Sequence, residues 1–292
     1  MKSISAYNPI VICIYYLSAA GILMFSQNPI LLLFGAIGAI AHFLLRNGQK
    51  NARSHLYFFL IFIVLGLVNP LVSHNGKTVL FVINDAPITL EATVYGFVSA
   101  GILVTVFYLF RTFTDIMTRD KLLYVFGRFS PKVALVLSMG LRYVPLFRER
   151  AKKITETQKA LGLYKDDNIF DKLRCDLRVF SILITWALEN GITTADSMEA
   201  RAYGTGKRTY YSRFRFGTSD ILLLCVIILC TGMTALGLAW GALDFAFYPM
   251  LTFTESTPLG IASYLSYGIL MMIPIFAETG EKLKWQYLRS KI

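Results

Sequence analysis

Six long runs without Asp, Glu, Lys or Arg alternate along the chain with polar segments. The runs cover residues 10–25, 30–45, 56–72, 92–110, 221–243 and 259–276. Each run approaches or exceeds the roughly 20 residues that a helix needs to cross the hydrocarbon core of a bilayer. Because lipid offers the backbone no hydrogen-bond partners, helices are the form expected for these runs. The pattern therefore predicts an all-α integral membrane protein with about six transmembrane helices.

The runs also divide the chain into three regions. We predict transmembrane helices 1–4 in residues 1–117, a charged region in residues 118–217, and helices 5 and 6 with a basic tail in residues 218–292. In the middle region, charges interrupt the apolar patches at helical intervals, which is typical of amphipathic helices that lie along a membrane surface.

Local signals predict where the helices of the middle region begin and end. Ser130-Pro131 predicts a helix start, and Pro145 predicts a kink in that helix. Gly162 is a predicted C-terminal cap, followed by a solvated loop at residues 165–168. Asn190-Gly191 predicts a break, after which a short separate helix ends at Gly204.

Other local signals concern the membrane region. Asn69-Pro70 predicts the end of the third helix. The small residues at 35–39 predict close approach of another helix, and the Gly237/Gly241 pair predicts a second packing stripe. Residues 73–89 carry a turn signal and a short β-branched segment. This connection is either an external hairpin or a segment that dips into the membrane interface.

Charge placement predicts the orientation. Of the 29 Lys and Arg residues, 19 lie in residues 118–217, and the connection after the second run and the C-terminal tail hold most of the others. Only Lys77 falls in a connection on the opposite side. The positive-inside rule therefore places both termini and residues 118–217 in the cytoplasm. Topology and anionic lipid account for the net charge of +11, so nucleic acid is not an expected partner.

No set of residues predicts catalysis or a resident cofactor. The four cysteines show no CxxC spacing, the three histidines are scattered, and no phosphate-binding loop is present. His42 is the clearest titratable residue within a spanning run. A standalone multi-pass carrier usually needs buried charges near the midplane, and a membrane-embedded enzyme needs a His, Asp or Glu cluster at the surface. These two functions remain the alternatives to a scaffold or coupling subunit.

The best candidate for a functional element is Ala200-Arg201-Ala202, with Glu199 before it and Gly204 after it. On charge placement alone, Arg201 is one more cytoplasmic arginine. The two alanines, however, remove side-chain bulk on both sides of a guanidinium that can bind a carboxylate through two hydrogen bonds. This context favours contact with a partner protein.

At these residues the chain resembles the transmembrane T subunit of energy-coupling factor transporters, the EcfT/CbiQ family. Ala200-Arg201-Ala202 resembles the second of that family's two Ala-Arg-Gly-like motifs, with Ala202 where glycine is usual. Residues 138–145, with Arg142 and Pro145, resemble the start of its first coupling helix. Asn69-Pro70-Leu71 and residues 75–81 resemble its external connection. The order of these segments along the chain matches the family.

The first family motif is expected at Ala160-Leu161-Gly162, where leucine stands in place of arginine. The resemblance implies that these two motifs dock onto two cytoplasmic ABC-type ATPase subunits. It further implies that a membrane S subunit binds the vitamin or metal ion, and that the partner subunits bind ATP, so this chain needs no cofactor of its own. It also implies a multi-pass protein of the cell membrane.

Overall fold

The computed structural model describes residues 4–47, 52–73, 76–83, 86–163, 169–206, 214, 216–250, 252–253 and 257–290. It separates the chain into two compact units. The first unit comprises residues 1–121 and 214–292, and the second comprises residues 122–213. Two features predicted from the sequence lie outside the described residues: Asn75, in the turn signal after α3, and the loop at 165–168.

The first unit is a bundle of apolar helices, and each predicted run forms one of them. Its helices are α1 (Pro9–Phe25), α2 (Pro29–Asn47), α3 (Ala52–Val72), α4 (Leu90–Ile116), α8 (Thr218–Ala239) and α9 (Pro258–Arg289). Five of these are long and apolar enough to cross a membrane, and α1 is a shorter apolar helix. At 17 residues, α1 is at the lower end of the spanning range. The all-α membrane fold predicted from the sequence is confirmed.

Small residues allow α2 to pack closely on α9. A Cβ added at Gly38 would lie 2.7 Å from Met271 Cβ, and one at Gly35 would lie 3.2 Å from Tyr267 Oη. Tyr267 and Met271 are themselves buried. The predicted close approach at residues 35–39 is therefore confirmed.

Polar contacts gather the helix ends of this unit into two groups. At one end, the backbone N–H of Asn8 before α1 donates to Asp220 of α8 at 3.0 Å. Lys121 Nζ there donates to the carbonyls of Ser5 and Ile116 at 2.7 and 3.2 Å. At the other end, Asn28 Nδ2 before α2 donates to Leu243 O at 3.0 Å. The helices therefore alternate in direction.

Lys121 belongs to a short helix, α5 (Arg119–Phe129), which follows α4 directly. The side chain is buried, and its ammonium provides hydrogen bonds for two carbonyl groups at the end of the bundle. Burial lowers the pKa of the Lys121 ammonium, and the positive charge of Arg46 lowers it further. The buried ammonium and the two carbonyls fix the N-terminal segment to the end of α4.

The connection after α3 is a β-hairpin. Strands β1 (Val79–Ile83) and β2 (Ala86–Thr89) pair antiparallel, with Val82 opposite Pro87. This settles the two readings of residues 73–89 in favour of a hairpin. The predicted end of α3 at Asn69-Pro70 is wrong, because the helix continues to Val72 with Pro70 inside it. The Asn69 side chain donates instead to Ala92 O of α4 at 3.0 Å.

The predicted Gly237/Gly241 packing pair is only half right. A Cβ at Gly237 would overlap Ser263 of α9, so this glycine does allow close packing. Gly241, however, lies beyond the end of α8 with φ +67°, where it turns the chain instead of packing a helix. The chain then enters a second small hairpin, formed by β3 (Phe245–Ala246) and β4 (Thr252–Phe253).

The second unit is dominated by two long helices, α6 (Pro131–Ala160) and α7 (Ile169–Ala200). The predicted start at Ser130-Pro131 is confirmed, and Pro145 lies within α6. The predicted break at Asn190-Gly191 is wrong, since α7 continues through it to Ala200 without a separate final helix. The Asn190 amide donates to the carbonyl of Trp186, four residues earlier, at 2.8 Å. This bond follows the helical repeat, so the asparagine does not end the helix.

Candidate functional site: two matched helix ends

Helix α6 ends in a tight turn that exposes Ala160-Leu161-Gly162. The backbone N–H of Gly162 donates to Lys159 O, and that of Leu163 donates to Gln158 O, both at 3.0 Å. Gly162 has φ +69°. This pair of bonds closing over a left-handed residue is a Schellman motif. The prediction that Gly162 caps the helix is confirmed.

Helix α7 ends in the same type of turn, with alanine in place of glycine at the left-handed position. The backbone N–H of Ala202 donates to Glu199 O at 2.8 Å, and that of Tyr203 donates to Met198 O at 3.0 Å. Ala202 has φ +56° and takes the place that Gly162 has in α6. The sequence motifs Ala160-Leu161-Gly162 and Ala200-Arg201-Ala202 therefore have equivalent positions at two helix ends. The order of the motifs in the sequence predicts that they correspond, but it does not predict that both end in the same left-handed turn.

The side chains at the two ends differ in chemistry. Leu161 and Arg201 both occupy the last position before the left-handed residue, and both are exposed, Leu161 by 64%. A cation beside the C-terminus of a helix interacts favourably with the carbonyl dipoles. Glu199 is exposed two residues before Arg201, and Gly204 continues the turn with φ +96°. The end of α7 thus presents an exposed guanidinium, whereas the end of α6 presents an apolar side chain.

A seam of side chains holds α6 and α7 together as an antiparallel pair. Tyr143 Oη and Thr194 Oγ1 are 3.1 Å apart, and the ring of Phe147 meets Trp186 edge-on with centroids 5.9 Å apart. The guanidinium of Arg150 lies 5.0 Å from the Trp186 ring centroid, within cation–π range. These contacts join the middle of α6 to the C-terminal half of α7.

The other end of the seam lies next to the end of α6. The thiol of Cys175, buried near the start of α7, is 3.5 Å from the carbonyl oxygen of Leu163. Ala200 follows Cys175 by 25 residues on the same helix, so the two helix ends are about 40 Å apart at 1.5 Å per residue. The two motifs therefore lie at opposite ends of one helical pair.

Arg142 and Pro145, predicted at the start of the first coupling helix, lie on α6 and are exposed. They flank Tyr143, whose hydroxyl belongs to the seam. Further along α6, an ion pair of 2.7 Å with Lys153 lowers the pKa of the Glu149 carboxyl. Exposed apolar side chains continue along the outer face of α7, among them Phe170, Leu173, Leu177 and Phe180.

The structure also shows a polar cluster that the sequence did not predict. His42 of α2 is buried, with Nδ1 3.3 Å from Tyr16 Oη and Nε2 3.2 Å from Glu278 Oε1 of α9. Arg46 Nη1 donates to the same oxygen at 3.4 Å. Glu278 is 236 residues from His42 and lies just past an apolar run, so no spacing in the sequence indicates the pair.

Within the part of the chain that the structure describes, no three His, Cys, Asp or Glu side chains lie close enough together to hold a metal ion.

Comparison with known proteins gives one family. The model of the cobalt transport protein family CbiQ matches residues 2–211. The energy-coupling factor transporter transmembrane protein EcfT of Thermotoga maritima is 27% identical over 221 residues, which are 70% of this chain and 79% of that protein. EcfT of Bacillus selenitireducens is 28% identical over 184 residues, 59% of this chain and 69% of that protein.

A third relative, EcfT 1 of Listeria monocytogenes, is 29% identical over 128 residues, 41% of this chain. That alignment spans 48% of the Listeria protein. Both motifs of the second unit fall within the stretch that the family model matches.

Proposed function

Because the chain belongs to the CbiQ family of cobalt transport proteins, a family of transporter membrane components and not of enzymes, we propose that it is the coupling (T) subunit of an energy-coupling factor importer. In this role it transmits the movement of two ATPase subunits to an S subunit that binds a vitamin or a metal ion. The observation that carries the proposal is the matched geometry of the two exposed helix ends.

Each helix end suits insertion into a groove of a partner protein. The Schellman turns leave Leu161 and Arg201 projecting from compact ends whose neighbouring side chains, Ala160 and Ala200, are small. Two ATPase subunits of an ABC transporter lie side by side, and two docking ends about 40 Å apart on one helical pair supply one contact for each. Arg201 pairs with a carboxylate in its groove, and Leu161 makes an apolar contact in the other groove without the ion pair.

The apolar faces supply the contact with the S subunit. Side chains such as Phe170 and Leu177 are exposed on α7, which also carries charged residues. An apolar membrane partner buries such a surface favourably. Movement of the docking ends is then passed through the seam to the helices that hold the S subunit.

The orientation follows from charge. The end of the bundle that holds Arg46, Lys121 and the C-terminus of α9 is the basic end, and Lys77 belongs to the hairpin connection at the other. The positive-inside rule assigns the basic end, both termini and residues 118–217 to the cytoplasm, where the ATPase subunits and their ATP are found. The chain itself spans the cell membrane and hydrolyses nothing.

The test is co-purification of the ATPase subunits with this chain carrying Arg201→Glu. Reversing the charge places two carboxylates together, and the loss of a paired interfacial charge costs about 2 kcal/mol or more, which is at least about 30-fold in affinity. Arg178→Glu, an exposed arginine within the same helix, is the matched control and should leave recovery unchanged.

The amount of each variant extracted from the membrane fraction shows whether insertion is normal. Undiminished ATPase recovery with Arg201→Glu contradicts the docking role of the α7 end. Leu161→Arg restores the family residue at the α6 end and should preserve or raise recovery. Loss of the complex with Leu161→Arg would show that the leucine packs in an apolar groove that rejects charge.

A further inference from the structure

A pocket of about 400 Å³ lies at the C-terminal ends of α2 and α9. Arg46 lines it from α2, and Glu278, Glu281, Lys282 and Trp285 line it from α9. The α9 positions recur at i, i+3, i+4 and i+7, so they form one face of that helix. A volume of this size is within the range of small-molecule binding sites.

The carboxylate of Glu278 is incompletely satisfied. Oε1 accepts from Arg46 and faces His42, but Oε2 is buried and has no hydrogen-bond partner among the described residues. Glu278 as a whole is 6% exposed. Buried carboxylate oxygens are normally hydrogen-bonded, and an orphaned one is costly. Glu278 lines the pocket, so a rotation of its carboxylate would turn this acceptor toward a bound N–H or O–H donor.

The charges around the pocket are balanced and close together. Arg46 and Lys282 bring two positive charges, and Glu278 and Glu281 bring two negative ones. Arg46 Nη2 also donates to Asp115 O and Lys282 to Leu45 O, but each cation has further N–H donors. A molecule that carries an anion and an ammonium group a few bonds apart matches this arrangement better than a simple ion.

The position along α9 identifies the source of such a molecule. At 32 residues, α9 is about 48 Å long, which exceeds the roughly 30 Å hydrocarbon core and reaches through the headgroup layer. The pocket residues occupy its last turns, beyond the apolar run that ends at Phe276. Trp285 is exposed there, as is common for tryptophan at membrane interfaces. Phospholipid headgroups are the zwitterions found at this depth.

We propose that this pocket binds the headgroup of a phospholipid with a primary ammonium, as in phosphatidylethanolamine. The phosphate accepts hydrogen bonds from Arg46 and Lys282, and the ammonium donates to Oε2 of Glu278, with Glu281 as a second negative charge. A choline headgroup lacks the N–H donors that Oε2 needs. The bound lipid would join the ends of α2 and α9.

The experiment is native mass spectrometry of the delipidated full chain, incubated with phosphatidylethanolamine, phosphatidylcholine or phosphatidylglycerol of identical acyl chains. We expect phosphatidylethanolamine to be retained at least about fivefold more than either of the others. Soluble phosphoethanolamine is the fourth probe, and we expect it to compete weakly, because it lacks the acyl chains that the membrane position favours.

Variants locate the site. Glu281→Gln and Lys282→Gln should each reduce retention of phosphatidylethanolamine at least about threefold, and Glu278→Gln more strongly. Lys284→Gln, on an exposed part of the same helix away from the pocket, is the matched control. Size-exclusion elution identifies variants that misfold, and Glu281→Gln and Lys282→Gln keep the test decisive if Glu278→Gln is one of them.

Four results would each overturn the proposal. Retention of phosphatidylcholine equal to that of phosphatidylethanolamine would show that binding does not require N–H donors. Equal retention of phosphatidylglycerol would show that binding does not require an ammonium group. Competition by soluble phosphoethanolamine at the lipid's own affinity shows that the pocket takes a soluble ligand. Retention that is unchanged in Glu281→Gln and Lys282→Gln places the lipid elsewhere. The assay contains no ATPase, so its failure leaves the coupling proposal untouched.

Discussion

The left-handed residue at each docking end makes a quantitative prediction possible. Ala202 has φ +56° and Gly162 has φ +69°, yet only the second is a glycine. A non-glycine residue in this region loses roughly 1–2 kcal/mol to contact between its Cβ and the backbone, and glycine loses roughly 0.5–1 kcal/mol more backbone entropy on folding. The net difference is about 1 kcal/mol in favour of glycine.

Ala202→Gly should therefore stabilise the final turn of α7 by about 1 kcal/mol, and Gly162→Ala should destabilise that of α6 by the same amount. The amides to follow are those of Tyr203 and Leu163, which close the two turns by donating to Met198 and Gln158. One kcal/mol changes the population of the open turn about fivefold. Hydrogen exchange at Tyr203 should slow, and exchange at Leu163 should accelerate, each about fivefold.

Gly140→Ala is the matched control for the loss in Gly162→Ala. Neither glycine has a heavy atom within 4 Å of an added Cβ, but Gly140 lies within α6 and has helical geometry. Alanine there should stabilise the helix by roughly 1 kcal/mol. The argument from backbone geometry is refuted if Gly162→Ala and Gly140→Ala shift hydrogen exchange in the same direction. It is also refuted if Ala202→Gly leaves the exchange rate of the Tyr203 amide unchanged.

Two further predictions concern packing. Trp186→Ala should weaken the α6–α7 pair by about 2 kcal/mol, because it removes an aromatic contact and a cation–π contact, and the distribution of spin-label distances between the helices should broaden. Trp186→Phe keeps a ring and should broaden the distribution less. Equal broadening in the two variants would contradict a role for the Trp186 ring in holding the helices together. Gly38→Ala should lower the thermal midpoint of the bundle, since its Cβ would meet Met271 at 2.7 Å, at a cost of roughly 1–3 kcal/mol. Gly21→Ala, with open space around it, should not lower the midpoint.

The parts of this fold that the sequence predicted are those fixed by local chemistry. The six uncharged runs predict the helices of the bundle, because a helix that crosses lipid needs a long apolar segment. Gly162 predicts the end of α6, because a left-handed backbone favours glycine. Asn190-Gly191 misled for the same reason. Its local preference for a break is overridden where Trp186 and Thr194, on either side, are held by contacts to α6.

Long-range pairs were beyond such reasoning. His42 stands out in the sequence as a titratable residue within a spanning run, but its partner Glu278 lies on the last helix, and only the packing of α2 on α9 brings them together. The hairpin of residues 79–89 was one of two readings because a short β-branched segment suits either a sheet or a membrane interface. The sequence shows alanine at position 202, where glycine is usual in the family, but only the backbone shows its positive φ.

The antiparallel seam has a mechanical consequence under the proposed docking. Its contacts extend from Tyr143 and Thr194 to Leu163 and Cys175, so while they persist the helical pair has a fixed length. If the partner subunits draw the two docking sites together by about a tenth of their 40 Å separation, the helical pair cannot shorten. It must instead tilt by roughly 25°. Opening the seam is the alternative, and the contacts of Trp186 oppose it. Translation of the docking sites is thus converted into rotation.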